Sequence, residues 1–136
     1  MTDTARMSSA SGVSRFKSRR GIARVWSATR SSIKGLAAAW RLEAAFRQEV
    51  LVGVPLMVLG AVLARDRWEA LALVLPILAV WVVELLNSAI EALADAISLE
   101  VHPMLGRAKE LGSAAVMLTI AAGAGVWVLV LLPRWW

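Results

Sequence analysis

Three long apolar runs constrain this chain more than any other feature. Residues 50–64 read VLVGVPLMVLGAVLA, residues 70–90 read ALALVLPILAVWVVELLNSAI, and residues 111–132 read LGSAAVMLTIAAGAGVWVLVLL. About 20 apolar residues of helix cross the hydrocarbon core of a bilayer. The runs therefore predict an all-α membrane protein with three transmembrane helices, over about 49–65, 70–95 and 111–132. Composition agrees, since 59% of the 136 residues are hydrophobic and the mean hydropathy is +0.66, above that of an ordinary soluble domain. With no cysteine in the chain, disulfide frameworks and thiolate metal sites are excluded.

The flanks of the runs are sharply asymmetric. Residues 1–24 are rich in Ser, Thr, Arg and Ala and read as a disordered basic tail, leaving 25–136 as one membrane domain. Over about 31–48, Ile33, Leu36, Trp40 and Ala44 recur at helical spacing. Lys34, Arg41, Glu43 and Arg47 occupy the rest of the circumference. This pattern predicts an amphipathic helix lying on the membrane surface, with Ser31 or Ser32 as its cap. Arg19 and Arg20 precede no apolar core, which argues against a twin-arginine export signal.

Ten of the fifteen Lys and Arg residues precede Val50. A basic flank before a first span is the positive-inside signal and attracts anionic lipid, so nucleic acid is not expected as a partner. Arg107 and Lys109 fall on the same side as those ten, whereas Arg65, Arg67 and Arg134 fall on the other. The imbalance predicts a cytoplasmic N-terminus and an external C-terminus, with PRWW as an interfacial anchor. ISLEVHPMLGRAKE reads as a loop, since Pro103 and Gly106 both form turns. Pro55 and Pro76 sit inside spans, where membrane helices accommodate them. Gly112 to Ala115 and AAGAG make small-residue faces suited to close helix packing, and so thin a bundle points to an oligomer.

The second run ends in polar company. Glu84, Asn87, Glu91 and Asp95 fall within about 80° of arc on one helix face. Glu84 and Glu91 stand about 10 Å apart along the axis. Acids at the solvated end of a helix are ordinary, which suffices for Asp95. A carboxylate as deep as Glu84 is costly in a bilayer and by default marks function. Carboxylates with a neutral amide form a hard oxygen environment suited to magnesium, and a carboxylate beside such an ion can serve as a base. In EAAFRQE, Glu43 and Arg47 have the spacing of a helix ion pair, and Gln48 or Glu49 opens the span. GRAKELGS lacks the spacing of a phosphate-binding P-loop, although Arg107 and Lys109 are placed to hold phosphates. The lone His102 reads as a surface residue.

Three stretches together, KGLAAAWRLEAAFRQE, VELLNSAIEALAD and GRAKELGSAAV, resemble the prokaryotic diacylglycerol kinases, small integral-membrane lipid kinases. The resemblance covers residues 33 to about 130, and ELLNSAIE is its most specific part. It implies a homotrimer with active sites between subunits at the cytoplasmic interface, and MgATP-dependent phosphorylation of sn-1,2-diacylglycerol to phosphatidic acid. Carried over by motif, Glu91 is the catalytic base, and Glu43 and Glu91 hold Mg2+. Lys109, Arg107, Glu43 and Glu91 meet ATP and its phosphates. Glu84, Asn87, Arg24 and Ser113 bind the lipid, while Asp95, Glu110 and Arg47 support the site. Glu110 departs from the family's usual Asp, Pro103 lies in the expected loop, and the basic tail is longer than usual.

Undecaprenol kinase, a close relative, shares the polar set and is the alternative reading. The tryptophan-bearing spans and the context of Glu43 favour diacylglycerol. A small multidrug transporter would need four spans and a glutamate within the first, yet residues 50–64 hold no charge. A structural membrane subunit, with the polar stripe as interhelical glue, leaves EAAFRQE and GRAK without a role.

Overall fold

The computed structural model describes residues 10–98, 100 and 102–135. It is all-helical: α1 (Ala10–Leu42), α2 (Ala44–Leu63), α3 (Arg67–Ile97) and α4 (Pro103–Leu131), followed by a short 3₁₀ turn at Leu132–Trp135. The chain divides into two compact units, residues 1–38 and residues 39–136. The first unit is the larger part of α1, whose side chains from Ala23 to Ala38 are exposed. The second holds the end of α1 and the three apolar helices.

Those helices, α2, α3 and α4, are each long and apolar enough to cross a membrane. In the second unit α3 is central, packing against α2 on one side and more extensively against α4 on the other. Few apolar side chains are buried among the described residues, namely Ala39, Phe46, Leu73 and Ala94, of which Leu73 is fully so. Most of the large apolar ones face outward, as helices solvated by lipid or by another helix do.

Local chemistry explains the helix ends. Asp66 caps α3, its carboxylate accepting from the backbone N–H of Trp68 (2.7 Å) and Glu69 (2.9 Å), while Glu69 accepts from the N–H of Arg65 (2.8 Å). The helices approach closely where glycine removes a side chain. At Gly53 a Cβ would lie 2.8 Å from Ile77, and at Gly60 it would lie 3.0 Å from Leu73. Two indoles tie the helices together by reaching backbone carbonyls. Trp81 Nε1 donates to Glu49 O of α2 (3.2 Å), and Trp127 Nε1 of α4 donates to Leu73 O (2.9 Å). The second contact sits in the turn before Pro76, whose ring deprives that part of α3 of a helical hydrogen bond.

Several boundaries differ from those the sequence suggests. The chain is already helical at Ala10, and residues 1–9 of the expected tail lie outside the described residues. The first helix stops at Leu42 rather than near 48, because Glu43 adopts an extended backbone (φ −98°, ψ 112°) and EAAFRQE starts α2. The expected loop over ISLEVHPMLGRAKE contracts to residues 98–102, with Pro103 at the first position of α4 and Gly106 within its first two turns. A proline at that position needs no hydrogen-bonded N–H and has a φ already suited to helix, so it starts α4. Of the PRWW anchor, Trp136 lies outside the described residues.

Candidate functional site

The polar stripe of α3 sits on the face that α3 turns toward its neighbours. Glu84 (4% exposed), Asn87 (8%) and Ser88 (9%) are buried on a helix that is otherwise largely apolar. Asn87 Nδ2 donates to Glu91 Oε1 at 3.1 Å, one turn further on, which fixes the orientation of both side chains. Glu84 feels the charges of Glu91 and Glu43, and Glu49 feels that of Glu84. Of these carboxylates, Glu91 is the one that the buried amide of Asn87 holds by a hydrogen bond. Among the described residues no group of three or more acidic or histidine side chains is arranged as a metal site. That is compatible with magnesium, which typically takes only one or two protein carboxylates.

The backbone of α4 closes against this stripe at Gly112. A Cβ there would collide with Asn87 Oδ1, so only glycine permits the approach. The oxygen is itself buried without a hydrogen-bond partner, as are Ser88 Oγ and Glu49 Oε2. A buried oxygen without a partner is of the kind a hard cation or a substrate hydroxyl satisfies.

Next to the stripe lies an open cavity of about 480 Å³, lined by Glu91 of α3 and by Lys109, Glu110, Ser113, Ala114 and Met117 of α4. Lys109 Nζ bridges to Asp95 Oδ1 at 2.5 Å, joining the end of α3 to the start of α4. The pair fixes the ammonium beside the opening. A second cavity, of about 420 Å³, runs between α2, α3 and α4 and is almost wholly apolar, with Gln48 and Glu49 among its lining. The two cavities share no lining residue.

The structure therefore brings Glu84, Asn87 and Glu91 together, sets Glu43 within electrostatic reach of Glu84, and gathers Lys109, Glu110 and Ser113 around the opening beside Glu91. Asp95 joins through Lys109. Arg107 is exposed and does not line the opening. Arg24 belongs to the first unit, where it is also exposed. Arg47 does not form the ion pair with Glu43 that their spacing suggests. Its Nη1 donates instead to the carbonyls of Trp40 (3.2 Å) and Arg41 (3.0 Å). The break at Glu43 ends α1 and leaves those carbonyls without helical partners, and a guanidinium satisfies them.

Reading the sequence placed Glu49 only at the opening of a span and Gly112 only on a small-residue packing face, and it did not single out Ser88 or Trp81. Which groups Gly112 and Trp81 contact has no one-dimensional signal.

Comparisons with known proteins converge on one family. A family model described as prokaryotic diacylglycerol kinase matches residues 30–131. A diacylglycerol kinase of Pseudomonas aeruginosa is 43% identical over 117 residues, covering 86% of this chain and 95% of that protein. One from Escherichia coli is 42% identical over 111 residues, covering 82% and 91%. One from Haemophilus influenzae is 36% identical over 107 residues, covering 79% and 91%. The matched region includes the buried stripe, the Glu43 break and the cavity beside Lys109, and on these grounds the chain belongs to the prokaryotic diacylglycerol kinase family.

Proposed function

We propose that this protein transfers the γ-phosphoryl group of MgATP to the free hydroxyl of sn-1,2-diacylglycerol, giving phosphatidic acid and ADP at the cytoplasmic face of a bacterial inner membrane. The observation that carries this reading is Glu91, held by Asn87 on one side and facing the cavity lined by Lys109 on the other. A base and a phosphate-binding cation then share one opening next to a span.

Glu91 takes the proton of the lipid hydroxyl as its oxygen bonds to the γ-phosphorus and the bond to ADP breaks. Asn87 orients Glu91 by donating to Oε1. Lys109, anchored by Asp95, meets the phosphate oxygens, and Ser113 and Glu110 line the same opening. Glu84 and Asn87 receive the lipid headgroup, and Arg47 holds the break at Glu43. A magnesium ion held by Glu43 and Glu91 would neutralise phosphate charge, and the hard oxygen donors gathered here suit it. With no P-loop, positioning and charge carry the catalysis.

The basic, partly apolar α1 would lie on the cytoplasmic surface, with Arg24 near the headgroups and Arg107 near ATP. Three spans then put the C-terminus outside. The outward-facing apolar side chains and small-residue faces support contact between copies of the chain, and the resemblance to the family implies that the copies form a homotrimer with sites between subunits.

The test is transfer of label from γ-labelled ATP in mixed micelles offering dioleoylglycerol and undecaprenol side by side, with Glu91→Gln as control. Magnesium-dependent label on dioleoylglycerol, lost in the variant, is the expected result. Label mainly on undecaprenol would move the assignment to polyprenol phosphorylation, and no label on either would overturn the kinase reading.

A further inference from the structure

We propose that Trp81 is a positioning residue for the lipid substrate: its indole N–H holds the main chain of α2 at Glu49 and so sets where the Glu49 carboxylate stands at the wall of the apolar cavity between α2, α3 and α4. This inference rests on the lipid-kinase reading above.

Trp81 Nε1 donates to Glu49 O across 32 residues of sequence, at 3.2 Å. The ring lies in a notch that Gly53 leaves open, where a Cβ would come within 2.9 Å of the indole. The same turn of α2 therefore provides both the acceptor and the space. Glu49 Oε2 is buried without a partner, and the residue lines the apolar cavity. Glu43 makes no side-chain cap, and the first turn of α2 is held by Arg47 to the end of α1 and by buried Phe46; the Trp81 bond is the one that ties Glu49 to α3. A rotation of α2 by about 10° would carry a group 5–6 Å from its axis by roughly 1 Å. Displacements of that size are felt at reacting centres.

The effect should fall on the lipid and not on ATP. Glu49, Gly53 and Trp81 all line the apolar cavity between α2, α3 and α4, and none of them lines the opening that holds Lys109, Glu110 and Ser113. An acid with an unsatisfied oxygen at the wall of an apolar cavity suits an amphiphile bearing a hydroxyl.

The experiment compares the full-length wild type with Trp81→Phe and Gly53→Ala in mixed micelles, varying the mole fraction of dioleoylglycerol and MgATP independently. Trp81→Phe keeps an aromatic ring and removes the N–H, while Gly53→Ala keeps the N–H and displaces the ring. Both should raise the KM for dioleoylglycerol by roughly three- to tenfold, the span of a single lost hydrogen bond, with the KM for ATP unchanged. Unchanged values for both substrates would overturn the proposal. So would a joint rise, a fall in kcat alone, or loss of helical circular dichroism in both variants, since each would make Trp81 a purely structural residue. A wild type that transfers no phosphate to dioleoylglycerol would instead overturn the kinase reading itself.

Discussion

At the scale of single residues, the site depends on polar groups kept unsatisfied in an apolar setting. Asn87 spends its amide N–H on Glu91 and leaves its oxygen bare against Gly112. Gly112→Ala should therefore push Asn87 out of its place. We expect a loss of turnover of at least about tenfold with the helical content intact, the scale of effect when a positioned group moves by about 1 Å, read by phosphate transfer alongside circular dichroism. Glu84 is the counterpart, a nearly buried carboxylate whose charge is repelled by those of Glu91 and Glu43. Glu84→Gln removes one charge from that crowd while keeping shape. It should raise the thermal midpoint by roughly 2–8 °C, as relief of about 1 kcal/mol does in domains of this size, and it should also lower activity. A rise in both, or a fall in both, would contradict the idea that the cluster trades stability for function.

At the scale of helices, the decisive features are two interruptions. Glu43 separates α1 from α2, and residues 98–102 separate α3 from α4. Because Pro103 starts α4, the stretch GRAKE is helical, and Lys109 is delivered to Asp95 by a rigid element. The spacing of the sequence alone favoured a loop there, since Pro and Gly are usually turn formers and only the helix that follows reveals a proline in the first turn. Pro103→Ala should consequently change stability by less than about 1 kcal/mol, which thermal unfolding in detergent would check. Asp95→Asn belongs to the same scale. The pair with Lys109 is about half exposed, so its loss should cost under about 1 kcal/mol of stability. It should nevertheless raise the KM for ATP, because Lys109 loses the anchor that fixes it beside the opening. An unchanged KM would remove Asp95 from the site.

At the scale of the whole molecule, α3 is long and apolar enough to cross a bilayer, which would put the segments that flank it on opposite sides. The chain contains no cysteine, so single cysteines report orientation without background. With the N-terminus cytoplasmic, Arg67→Cys should react with a membrane-impermeant maleimide in intact cells and His102→Cys only after lysis. The reverse pattern would invert the topology and take the Lys109 opening away from cytoplasmic ATP. The small buried core, limited among the described apolar residues to Ala39, Phe46, Leu73 and Ala94, leaves broad apolar faces for lipid or for further copies of the chain.

By itself the sequence determined the class, the number of spanning helices and the polar face of α3. These properties follow from run length and from the 3.6-residue period, both local along the chain. A carboxylate and an amide inside an apolar run are equally local, so Glu84, Asn87 and Glu91 stood out at once. Tertiary structure alone decided that Gly112 opens onto Asn87, that Trp81 reaches the carbonyl of Glu49, and that Arg47 serves the end of α1 and not Glu43. Each is a contact between segments whose separation in sequence has no period, or a choice between partners that spacing leaves equivalent. Such choices are settled by which backbone groups remain unsatisfied once the helices have packed.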